Sequence, residues 1–115
     1  MSALPATMTC VEITKAGGPE VLVPTTRPVP VPKAGEILIK VATTGINRPD
    51  IAQRQGTYAP PPGASDLPGL EAAGTVVAVA ADVTGWKEGD TVCALTPGGS
   101  YAEYCTVPAP QCLPI

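Results

Sequence analysis

Residues 36 to 42 read Glu36-Ile37-Leu38-Ile39-Lys40-Val41-Ala42, with Glu36 and Lys40 the only polar side chains in the run. A short stretch of β-branched and aliphatic residues, entered through the turn Lys33-Ala34-Gly35-Glu36, is the clearest strand signal in the chain. A second apolar run, residues 72 to 81, is long enough to bend at Gly74. Working outward, residues 7 to 15 alternate weakly as a first strand. Gly17-Gly18-Pro19 turns it, and residues 21 to 27 return. Pro28-Val29-Pro30-Val31-Pro32 lacks a ladder donor at its three prolines, so it reads as an edge or an extended connector. Residues 91–95, 101–107 and 111–115 supply further short strands, with Pro97-Gly98-Gly99 expected as a hairpin turn. Trp86-Lys87-Glu88-Gly89-Asp90 reads as a turn that Asp90 closes. The class is mainly β. The spacing suggests a partly open β-barrel with one or two short helices, one of them from residue 48 to about 55.

At 115 residues the chain reads as one domain, 1–115. With no Phe, one Trp and three Tyr, its core must be built from Val, Ile, Leu and Ala, while fifteen Pro and twelve Gly favour turns over long helices. A net charge of −3 leaves no basic footprint for nucleic acid. No apolar run reaches the ~20 residues a membrane-spanning helix needs, and the N-terminal stretch lacks a basic region followed by an apolar block, so a soluble, cytoplasmic protein is expected. Cys10, Cys93, Cys105 and Cys112 show no C-x-x-C spacing, which favours four reduced, mostly buried thiols in strands over a zinc lobe.

The chain has no histidine. Asn47, with Asp50 three residues on and Pro49 within the first turn, has the pattern of a helix N-cap. Arg48 and Arg54 are candidates for surface ion pairs with Asp50 or Asp66.

Five segments stand in order: NRPDIAQRQGTY at 47–58, PPPG at 60–63, GLEAAGTVV at 69–77, WKEGDTV at 86–92 and PGGSYAEYCTV at 97–107. Together they resemble the GroES-like catalytic domain of the medium-chain dehydrogenase/reductase superfamily, and within it the quinone oxidoreductase group that includes zeta-crystallin. QRQGTYAPPPGASDLPGLEAAG and LTPGGSYAEY are most similar to the tumour-suppressor-inducible subgroup. The resemblance implies a GroES-like fold and NADPH-dependent hydride transfer to a quinone or activated carbonyl in an inter-domain cleft. It also implies a Rossmann domain beyond Ile115. No strand followed by G-x-G-x-x-G occurs here, so most of NADPH is expected to be held by that absent domain.

By the same resemblance, Asn47 stands where zinc alcohol dehydrogenases place a cysteine ligand, and Leu70 of Gly69-Leu70-Glu71 stands where they place a histidine. Leucine has no lone pair and a neutral amide is a poor zinc ligand, so no metal is expected. The quinone oxidoreductases place the matching asparagine at the cleft floor, where its amide can donate to a developing oxyanion and accept from the nicotinamide carboxamide. Reducing an aldehyde forms an alkoxide, whose conjugate acid is nearly as weak as water at ~15.7. Hydride addition to a quinone gives a phenolate-like anion of pKa about 10, which needs less stabilisation. Asn47 and Tyr58 are therefore the candidate catalytic residues, Tyr58 walling the pocket against a flat ring. Asn47, Arg48 and Asp50 are the candidate contacts to the nicotinamide end of the cofactor, and Glu71 faces the cleft or serves the architecture.

Two alternatives stand beside this reading. Enoyl and enone reductases use the same domain, and a GroES-like barrel can also be a non-catalytic binding module, although no long glycine-rich loop tipped by an apolar triplet is present. The face that meets a cofactor domain is expected to be apolar and exposed, a surface for homo-oligomer formation.

Overall fold

The computed structural model describes residues 4–115. Its strands are β1 (Thr7–Ile13), β2 (Leu22–Pro28), β3 (Glu36–Thr44), β4 (Glu71–Val79), β5 (Thr91–Leu95), β6 (Tyr104–Pro108) and β7 (Cys112–Pro114), with one α-helix, α1 (Arg48–Gln55), between β3 and β4. Single 3₁₀ turns at Pro19–Val21 and Ala109–Gln111 lead into β2 and β7.

The uninterrupted apolar character of β3 has a direct physical cause. Ile37 and Ile39 are fully buried in one cluster with Val76, Val92, Cys105 and Val107. Leu38, pointing the other way, is buried in a second cluster with Met8, Cys10, Leu67 and Tyr104. A strand covered on both faces loses the alternation of a half-exposed one. Aliphatic side chains dominate the first cluster, Tyr104 is the aromatic member of the second, and Trp86 packs only on the margin of the first.

β1 and β2 form an antiparallel ribbon, and the other five strands form a sheet in the order β6-β3-β4-β5-β7, antiparallel throughout. This is a mainly β, partly open arrangement, as the spacing of strands suggested. The register of β3 on β4 shifts twice, and between Val41 and Thr43 it skips Ala42. Gly74 lies beneath that bulge. A Cβ there would run into the Lys40 carbonyl oxygen and lie 3.1 Å from the Ala42 nitrogen, so the bend anticipated at this glycine is a close approach of backbone to backbone.

The ordering of the sheet corrects one expectation. Pro97-Gly98-Gly99 is not a hairpin turn, because β3 and β4 lie between the strands it joins. It crosses the molecule, with the Thr96 N–H donating to the Leu70 carbonyl at 2.8 Å and the Gly99 N–H to Leu67 at 3.0 Å. Residues 101–103 likewise turn toward β1: the Val11 N–H donates to Tyr101 and the Glu103 N–H to Thr9, while the Glu103 carbonyl alone stays on the sheet, accepting from the Val41 N–H at 2.8 Å. The strand expected from residue 101 therefore begins at Tyr104. Elsewhere the Lys87 N–H donates to Asp90 Oδ2 at 3.0 Å, closing the 86–90 turn as expected.

Candidate active site

Three of the five segments that carried the resemblance, 47–58, 69–77 and 97–107, converge at one end of the sheet on the carboxylate of Asp50. Asn47 is the N-cap of α1, in extended conformation, and Pro49 occupies the first turn. The Asn47 N–H donates to Asp50 Oδ2 at 3.0 Å, and the Asp50 N–H donates back to the Asn47 carbonyl at 3.0 Å. The Asn47 side chain faces this same turn in capping-box fashion, but only the Asp50 half makes a side-chain hydrogen bond of good geometry.

Asp50 is only 5% exposed. Its second oxygen accepts from the Gly69 N–H at 3.2 Å, and Tyr101 Oη donates to Oδ2 at 3.0 Å. Burial, helped by the neighbouring carboxylate, pushes the Tyr101 phenol well above its ordinary pKa. Beside this cluster Thr44 Oγ1 donates to the Glu71 carbonyl at 2.8 Å and shares a 2.7 Å hydrogen bond with Ser100 Oγ, which is wholly buried. Gly69 has φ +111° and no room for a side chain, since a Cβ would strike Ser100 Oγ.

The remaining candidates are placed differently. Arg48 is exposed and has no ion pair among the described residues. The expected pairing of Arg48 or Arg54 with Asp66 or Asp50 is replaced by others. Arg27 bridges Glu12 and Asp66 at 2.6 and 2.7 Å, and Arg54 Nε donates to the Gly17 carbonyl at 3.1 Å. The Arg27 guanidinium holds the Asp66 carboxyl below the usual range. Tyr58 is half-buried in the connection between α1 and β4. Leu70 is half-buried, its carbonyl taken by Thr96.

Two open cavities, about 490 and 680 Å³, flank the 43–46 segment that leads into Asn47. The first is lined by Glu71, Ala73, Cys93, Leu95 and Leu113, with the Glu71 carboxylate lying against Gly45. The second is lined by Cys10, Val41, Ile46, Ser100, Tyr101 and Glu103. Asn47 and Tyr58 line neither. Sequence reasoning missed Thr44, Ser100 and Tyr101 as members of the site, and the only available signal was that Ser100 and Tyr101 lie inside the PGGSYAEY segment.

Residues 33–115 match the family of alcohol dehydrogenase GroES-like domains. The chain belongs to that family. This GroES-like domain is also 40% identical over 99 residues to the quinone oxidoreductase of Lama guanicoe, covering 84% of the chain and 30% of the relative. It is 38% identical over 104 residues to the synaptic vesicle membrane protein VAT-1 homolog of Rattus norvegicus, covering 89% and 26%. Among solved structures, the human VAT-1 homolog-like protein superposes with a TM-score of 0.86 at 33% identity, covering 95% of this chain and 35% of that one. A mycobacterial protein complexed with NADPH gives 0.84 at 38% identity, covering 94% and 34%. The domain thus belongs to the zeta-crystallin-like quinone oxidoreductase group of the medium-chain dehydrogenase/reductase superfamily, and it spans about a third of the length of these relatives. Among the described residues no group of three metal-ligating side chains comes together, and no helix is long and apolar enough to cross a membrane.

Proposed function

We propose that this domain supplies the substrate side of an NADPH-dependent quinone reductase that works without zinc. The carrying observation is the donor set. Likeness to quinone oxidoreductases is combined with Asn47 and Leu70 at the two positions where zinc relatives place ligands, and neither residue can complete a tetrahedral nitrogen and sulfur site.

The residues present suit the nicotinamide end of the cofactor. NADPH, when bound, supplies the hydride. Asn47 offers a half-buried amide that can donate to the reacting carbonyl oxygen and accept from a carboxamide, on a helix terminus whose partial positive charge favours a developing anion. Arg48, exposed and unpaired among the described residues, is free to contact that same nicotinamide end. Tyr58 lines neither cavity and is assigned to the site on the family resemblance alone, as a wall against a flat ring whose hydroxyl is a second donor. We give Asp50 a role other than the cofactor contact expected from sequence. A carboxylate this buried, with three donors on its two oxygens, acts by holding Asn47 in place. The substrate is a quinone, whose phenolate-like product needs only hydrogen-bond donors and a proton from solvent.

The test is Asn47→Ala in a protein that joins this domain to its cofactor-binding domain. Loss of an oxyanion donor lowers turnover about 100-fold or more, whereas loss of a cap alone costs ~1 kcal/mol of stability and leaves activity per folded molecule intact. Near-normal turnover in a destabilised variant would overturn the assignment. A steady-state panel of quinones, enones and enoyl thioesters on the unsubstituted protein checks the substrate class, and an enone or thioester preferred by kcat/KM would move it.

A further inference from the structure

We infer that Tyr101 is a positioning residue of this site, acting on Asn47 through Asp50; the catalytic part of the inference rests on the function proposed above. Asp50 is buried and has no ion pair among the described residues, so it is held by hydrogen bonds and by the N-terminus of α1, in whose first turn it lies. Two of the three donors are backbone N–H groups, from Asn47 and Gly69, and the third is the Tyr101 hydroxyl. A hydrogen bond to a buried charge is worth about twice a neutral one, and its loss leaves an under-solvated carboxylate that seeks another donor. The nearest consequence is movement of the carboxylate, and with it the N–H of Asn47 that shares Oδ2 with the phenol.

Tyr101 is itself well anchored. Its N–H donates to the Pro68 carbonyl at 3.1 Å and its carbonyl accepts from Val11 at 2.9 Å. One residue therefore fastens the entry of α1 to the connection leading into β4 and to the β1–β2 ribbon. Tyr101 also lines the larger of the two cavities beside the 43–46 segment, which brings the support for Asn47 next to open space where a substrate can lie.

Tyr101→Phe removes the hydroxyl and keeps the ring. Amide exchange measured residue by residue on this chain should show about tenfold or greater loss of protection at Asn47 and Gly69, the size expected from one charge-assisted hydrogen bond, with β4 and β5 unchanged. In a protein joined to its cofactor domain, kcat for quinone should fall while KM stays within a factor of about two, as expected when an interaction is lost in the transition state alone. Unaltered exchange at Asn47 and Gly69 would overturn the linkage. Increased exchange with unchanged kcat would overturn the positioning role and leave a structural one. Should the unsubstituted protein reduce no quinone, the proposed function fails on its own, and the exchange arm still decides whether Tyr101 holds the loop.

Discussion

Gly69 shows how closely the site is packed. Its φ of +111° lies where side chains are strained, and a Cβ there would also stand 2.8 Å from the Tyr101 nitrogen. The neighbouring Ser100 hydroxyl is wholly buried and bound to Thr44, so it cannot retreat. Gly69→Ala is therefore expected to destabilise the domain by at least ~2 kcal/mol, from strain and overlap together, read as a lower urea midpoint at unchanged slope. A change below ~0.5 kcal/mol would mean the Ser100 corner is loose. At this scale the sequence was readable where chemistry is local. Asn47 and Asp50 announced a cap by their spacing, and the cap formed. The burial of Asp50 was not readable, because the donors that permit it come from residues 69 and 101.

At the level of elements, β5 and β7 carry the most exposed apolar face. Leu113 pairs with Cys93, two residues from Leu95, so Leu95 and Leu113 lie on the same side of the sheet, 65% and 66% exposed. Large aliphatic side chains placed together in this way mark a surface that another surface covers. Sedimentation velocity of the chain should reveal concentration-dependent self-association, abolished by Leu95→Lys with Leu113→Lys. A monomer at all concentrations would show that this strip is tolerated in water. The helix from 48 to 55 and the strand from 91 to 95 were legible in full, since caps and short aliphatic runs are local signals. The start of β6 was not, because residues 101–103 have strand-like composition but bond to β1. A Pro-Gly-Gly turn likewise carries the same local chemistry whether it closes a hairpin or leads a crossing.

For the whole molecule, the four reduced thiols set a limit at high pH. Cys10, Cys105 and Cys112 are buried and Cys93 is half-buried. Burial pushes the Cys105 thiol up to about 12 and raises Cys10 and Cys112 as well. A thiol in the unfolded chain titrates near 8.5, so between the two values the folded state binds more protons than the unfolded one. The stabilisation is complete below about pH 8 and is lost as pH rises through the folded values; the raised Tyr101 phenol extends the same trend beyond about pH 10. The urea midpoint should accordingly be flat from about pH 6.5 to 8 and fall steadily from about pH 9 to 11. A midpoint that held constant through that range would mean the thiols reach solvent in the folded state. Fold class was legible at this scale from strand spacing and proline content, whereas strand order was not, since it depends on which distant edges meet.

The position of β6 also sets a timetable for synthesis. Ile37 and Ile39, at the centre of the main core, lie on a strand whose outer edge is covered only when Val107 and Cys105 pair with it. A ribosome adding ~5–20 residues per second leaves that edge open for several seconds after β3 has been made. During this interval its unpaired N–H and C=O groups are a template for any passing strand, including the β3 of a neighbouring nascent chain. Slow codons between residues 45 and 102 would lengthen that exposure, so the yield of native domain depends on the pace of translation across a segment that leaves the outer edge of β3 uncovered.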